Sequence, residues 1–119
     1  MTQQEAIPEN LKQIALMARS RRTRTSAFTK ERPTDWNPQN VMRDDIGLAY
    51  TDDSAWNKLA DLILAGHPVE ALKLDKPVGA TAYVLKWAEG TQMVYAKLQP
   101  VGRKVLGRSF HISTIQDSK

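Results

Sequence analysis

An α+β fold, two helices packed on a three- to four-stranded antiparallel meander, is what three features of the sequence predict. Apolar residues recur at helical spacing in Leu11, Ile14, Ala15, Ala18 and again in Trp56, Leu59, Ala60, Ile63, Leu64. After residue 80 the pattern changes to β-rich runs separated by tight turns at Glu89-Gly90 and Pro100-Val101-Gly102-Arg103. Helical signals stop where strand signals begin, which is the pattern of helices gathered on one face of a sheet.

The 119 residues support a single domain and a core that needs no covalent staple. Within it, 1–32 reads as a basic N-terminal helix and a partly flexible arm, and 52–113 as the helix-plus-sheet core. Cysteine is absent, which removes disulfide scaffolds, thiolate metal sites and cysteine nucleophiles. No apolar run approaches the ~20 residues that span a bilayer, and the start MTQQEAIPEN lacks the features of a signal peptide. A cytoplasmic protein with no membrane partner is the expectation.

The first helix is expected from Glu9 to Ser20, with Pro8 at its start. Its apolar stripe is narrow, so it needs a partner surface. Residues 21–51 read as irregular chain broken by Pro33 and Pro38, with turn pairs Thr34-Asp35 and Asn37-Pro38. Trp36 is expected to pin this stretch to the core in preference to stacking on a base. The second helix is capped by Asp52, Asp53 or Ser54 and ended by Gly66 and Pro68. His67 follows it as a structural cap in preference to a catalytic group. Val69–Leu74 is open between a short edge strand and an irregular crossing. Lys76-Pro77-Val78-Gly79 is a turn, and Thr114–Lys119 a fraying tail.

Hairpin parity assigns faces to the meander. Taking Glu89-Gly90 as a two-residue loop puts Leu85 opposite Val94 and places Tyr83, Leu85, Trp87, Val94, Ala96 and Leu98 on the core face. A three-residue second loop, Val101-Gly102-Arg103, pairs Leu98 with Leu106 and Val94 with Phe110. It gathers Lys86, Tyr95, Lys97, Ser109 and His111 on the open face and leaves Arg108 in the core. A four-residue loop reverses that parity, and a bulge at Gly107 returns Arg108 to the open face.

Charge runs basic, acidic, basic: residues 1–32, 33–79 and 80–119 carry +4, −4 and +4, summing to the formal +4. Arg21, Arg22 and Arg24, with Arg19 and interleaved hydroxyls, suit phosphate binding; as a helix end they equally suit solvent. On the open face, His111 is a proton shuttle near neutral pH. Lys97, Lys86 and Arg108 stabilise charge on a phosphorane, Tyr95 positions a base, and Ser109 adds a hydrogen bond. The same residues also describe an ordinary solvated face. Two histidines without cysteine or carboxylate spacing make no metal site, and neither a phosphate-cradling glycine loop nor a nucleophile elbow occurs. No cofactor is expected.

The run Tyr83-Val84-Leu85-Lys86, Val94-Tyr95-Ala96-Lys97-Leu98 and Val105 through Ser109-Phe110-His111-Ile112-Ser113 resembles the final strands of RelE/MqsR-like mRNA interferases, RNase toxins of bacterial toxin–antitoxin systems. It covers about a quarter of the chain. The resemblance implies an α+β ribonuclease acting on RNA, including ribosome-bound mRNA, and neutralised by an acidic antitoxin. Lys97 matches the lysine of the family's middle strand and Tyr95 its aromatic neighbour. The last strand's functional cation falls near Arg108 or His111. Members often carry lysine after the Ser-Phe pair, where this chain has His111, and 21–51 has no clear counterpart. The expected activity is metal-independent endoribonuclease cleavage by 2′-hydroxyl attack. The alternative is a non-catalytic module that binds nucleic acid or protein through its basic surface.

Overall fold

A computed structural model describes residues 7–75 and 79–113. The turn expected at 76–79 therefore lies outside the described residues except for Gly79, and the tail 114–119 lies outside them entirely. The elements are α1 (Glu9–Ala18), β1 (Arg24–Thr25), β2 (Asp35–Trp36), a 3-10 turn (Pro38–Asn40), α2 (Asp52–Leu64), β3 (Glu70–Lys73), β4 (Thr81–Glu89), β5 (Gln92–Val101) and β6 (Lys104–Ile112). The fold is α+β. The sheet has six strands where three to four were expected, ordered β1-β6-β5-β4-β3, with β2 also on β6. It is mixed: β1 and β2 run parallel to β6. These strands are two residues long, too short for alternation to be visible in sequence. The ambiguous Val69–Leu74 segment forms edge strand β3 on β4.

Helix α1 stops two residues before the expected Ser20. The Thr23 hydroxyl donates to the Met17 carbonyl (2.8 Å) and Arg24 Nη1 to the Ala18 carbonyl (2.8 Å), so side chains take over carbonyls a longer helix would have bonded. Helix α2 is capped by Thr51, one residue before the expected candidates. Its hydroxyl accepts from Ser54 N–H, and the Ser54 hydroxyl accepts from Thr51 N–H, a reciprocal capping box. At the other end Gly66 has φ +83, and the amides of Gly66 and His67 bond the carbonyls of Ile63 and Leu62. This Schellman closure needs the left-handed conformation that glycine tolerates.

Both helices cover one face of the sheet. Ile14, Ala15 and Ala18 of α1 and Trp56, Leu59, Ala60 and Ile63 of α2 meet Leu85, Trp87, Val94, Ala96, Leu98 and Phe110 in one core. Trp36 stacks on Trp56 (centroids 4.5 Å apart), meets Phe110 edge-on (5.4 Å) and donates from Nε1 to Asp52 (2.9 Å). The tryptophan thus pins the 21–51 stretch to the core, as expected of it.

The faces of β4 and β5 agree with sequence parity, while the registers, and two positions of β6, are corrected. Leu85 pairs with Ala96 and Glu89 with Gln92, so the first loop is Gly90-Thr91. The shift is even, and the core face is unchanged. The second loop is neither three nor four residues: Val101 pairs with Lys104 across Gly102-Arg103, with Gly102 at φ +62. Beyond it the register breaks between Lys97 and Leu98, which pair with Ser109 and Gly107. Arg108 is the extra residue of a bulge and leaves the core position the three-residue loop gave it. Phe110 stays inside. Leu106 pairs with Gln99 and moves to the open face, opposite to expectation, because the loop is one residue shorter.

Candidate nucleic-acid interface on the open sheet face

Two cross-strand rows build the open face. One runs Lys86–Tyr95–His111 across β4, β5 and β6. The other runs Val84–Lys97–Ser109–Asp35 across β4, β5, β6 and β2. Opposed residues share a face, so Lys86, Tyr95, Lys97, Ser109 and His111 stand together as the sequence predicts, and β2 adds Asp35. The Tyr95 and His111 rings stack with centroids 5.4 Å apart and planes 18° apart. Lys86 Nζ lies 6.0 Å from the Tyr95 ring centroid.

His111 Nδ1 donates to the Ile112 carbonyl at 3.0 Å, which leaves Nε2 as the working nitrogen. Asp35 Oδ2 is 3.5 Å from Nε2, and Asn37 Nδ2 donates to the other Asp35 oxygen. Burial, and then the charge of Arg108, pull the Lys97 ammonium below its ordinary value. Burial, and then Arg32, do the same to Arg108. Burial, and then Glu70, push the Tyr95 phenol up, so it stays a proton-bearing donor.

Arg108 is held by neutral acceptors. Its Nε donates to the Pro33 carbonyl (2.9 Å) and its Nη1 to Oε1 of buried Gln99 (2.7 Å). These bonds fix the guanidinium without cancelling its charge.

The N-terminal arginines are not brought to this face. Arg21 and Arg24 both pair with Asp53 in the first turn of α2, and Arg19 pairs with Asp61 at 2.6 Å. Arg24 is buried, with its guanidinium 5.8 Å from the Trp56 ring centroid. Arg22 is exposed and belongs to no ion pair among the described residues. His67 closes α2 through its backbone, and its ring Nε2 donates to the Lys86 carbonyl at 2.7 Å, tying the helix end to β4.

A polar cleft of about 440 Å³ lies on the helix side, lined by Arg43, Asp44, Tyr50, Lys58, Asp61 and Glu89 among others. The groups at its Glu89 end are already committed to one another. Buried Glu89 accepts from Asp44 N–H (2.7 Å), Trp87 Nε1 (2.8 Å) and the Tyr50 hydroxyl, and Arg43 pairs with Asp45 at 2.7 Å. Burial raises the Glu89 carboxyl, but the three donors outweigh it and hold the group below the ordinary range. We read this cleft as the buttress of the loop 41–50, and the open face as the site.

Among the described residues no group of three or more His, Asp or Glu side chains is placed to hold a metal ion. Two neighbours of the face were missed in sequence: Asp35, read there only as part of a turn pair, and Arg32, in the arm that leads into β2. Neither lies in a periodic run, and only the parallel pairing of β2 with β6 delivers them. Comparison of the chain with protein-family models, with curated proteins and with solved structures found no match.

Proposed function

We propose that the open face binds RNA and cleaves it by metal-independent transesterification. The observation that carries the reading is the pair of adjacent rows that sets an imidazole, a stacked phenol and a half-buried amine side by side. His111 Nε2 takes the proton of a ribose 2′-hydroxyl, and Asp35 stabilises the resulting imidazolium. The 2′-oxygen attacks the adjacent phosphorus, the bond from phosphorus to the 5′-oxygen breaks, and a 2′,3′-cyclic phosphate forms. Lys97, its ammonium made more acidic by burial, gives its proton to the departing 5′-oxygen. Lys86 and Arg108 stabilise the charge that builds on phosphorus, Ser109 hydrogen-bonds a phosphate oxygen, and Tyr95 carries a base on its ring.

On this reading the protein is a toxin-type ribonuclease, and an acidic antitoxin is the partner whose chemistry fits the same basic face. The test is incubation of the purified protein with RNA and with ribosome-bound mRNA in EDTA. The expected product ends in a 2′,3′-cyclic phosphate. Binding without cleavage in both arms supports instead the non-catalytic module.

A further inference from the structure

We infer a phosphate subsite built by Arg32, Arg108 and Lys97 at the β6 side of the open face, with Arg32 as a binding residue for the RNA backbone. The inference rests on the proposed RNA reading for its ligand, but its observations are separate. Arg32 Nε is the one buried side-chain nitrogen or oxygen among the described residues that has no hydrogen-bond partner. Such a donor costs stability unless something accepts from it. The carbonyl of the next residue, Pro33, takes Arg108 Nε at 2.9 Å, so the two arginines are drawn together through the backbone. Lys97 stands opposite Ser109, one residue beyond Arg108.

Arg108 lies between the other two cations, bonded to the Pro33 carbonyl next to Arg32 and followed by Ser109, the partner of Lys97. Among the described residues, Arg19, Arg21, Arg24 and Arg43 each pair with an aspartate, whereas Arg32, Arg108 and Lys97 belong to no ion pair. Burial, and then the neighbouring cation, pull the pKa values of Arg108 and Lys97 below their ordinary values. Arg22 and Arg103 are also unpaired but stand exposed to water, whereas Arg32 and Arg108 are partly buried, so an anion from outside gains more by joining them. The fork of Arg32 suits a tetrahedral oxyanion, because planar guanidinium donors match two oxygens of a phosphate. Beside it a recess of about 190 Å³, lined by Thr25, Ala27, Val101 and Leu106 with Arg32 and Lys104 at its rim, offers apolar floor next to the charge. This arrangement favours a phosphate that carries an organic group over a free inorganic ion.

The experiment uses the full chain and two probes, inorganic phosphate and a 2′-O-methyl RNA oligomer that cannot undergo 2′-attack. Arg32→Gln should weaken binding of the oligomer by about tenfold and lower its salt slope by about one unit. Arg103→Gln, which removes an exposed arginine in the β5–β6 turn, should change binding less than threefold. In the wild type, the Arg32 Nε–H resonance should shift with the oligomer and only weakly with inorganic phosphate. Arg32→Lys should recover part of the affinity. Equal losses in Arg32→Gln and Arg103→Gln, or an unmoved Arg32 resonance, overturn the subsite. Because the oligomer is uncleavable, a weakened Arg32→Gln in a protein that never cleaves RNA keeps the subsite and removes the nuclease. An unaffected Arg32→Gln in a protein that does cleave removes the subsite alone.

Discussion

Gly107 lies where the Trp36 indole crosses β6, and a Cβ added there would stand 2.5 Å from the ring. The ring cannot retreat, being stacked on Trp56 and edge-on to Phe110. Gly107→Ala should therefore destabilise the fold by about 2–3 kcal/mol, read as a lower urea midpoint with an unchanged slope. Glu89 makes the second residue-scale prediction. Its folded carboxyl titrates below the ordinary 4.5, so its contribution is complete above that pH and is lost as pH falls through the folded value. Urea midpoints measured between about pH 6 and pH 3 should drop less steeply in Glu89→Gln than in the wild type. A glutamine still accepts hydrogen bonds but does not titrate, which isolates the effect of charge. Neither residue's role can be seen in sequence, because both depend on what the long loop brings across the sheet.

Element by element, the parts carried by periodicity were legible and the parts carried by tertiary docking were not. Helix α2 and the core parity of β4 and β5 follow from patterns of many residues, so an error of two in register leaves the buried set intact. The second turn is harder to read, because one residue of loop length moves Leu106 between faces, and a bulge at Arg108 then restores Phe110. Strands β1 and β2 have no local signal, since they are held by β6 and by Trp36. Two element-scale outcomes follow. Thr51→Ala removes one half of the α2 capping box and should cost about 1 kcal/mol in chemical denaturation. Amides of β5, flanked on both sides, should exchange about a hundredfold slower than those of β3, whose residues are all exposed at the sheet edge. Comparable exchange in the two would mean that the sheet does not end at β3.

Across the whole molecule, the basic–acidic–basic order of the sequence resolves into two faces. Aspartates of the acidic middle segment, Asp53 and Asp61, neutralise arginines of the first basic segment on the helix side. The second basic segment, with Arg32 added to it, is left in surplus on the open sheet face. A net charge of +4 thus understates how unevenly the paired and unpaired cations are divided between the two sides. The candidate cluster of Lys86, Tyr95, Lys97, Ser109 and His111 was legible because parity alone gathers it. Asp35, Arg32 and the diversion of Arg21 and Arg24 were not, because they depend on parallel pairing and on ion pairs across some thirty residues of sequence. No helix among the described residues is long and apolar enough to cross a membrane. The measurement that bears most directly on the central claim is cleavage of a defined RNA in EDTA by the wild type, His111→Ala and Lys97→Ala, each first shown to be folded. A 2′,3′-cyclic phosphate product from the wild type, and a loss of at least a hundredfold in rate in each variant, is the predicted result. Undiminished cleavage in both variants, or none by the wild type on free or ribosome-bound RNA, would contradict it.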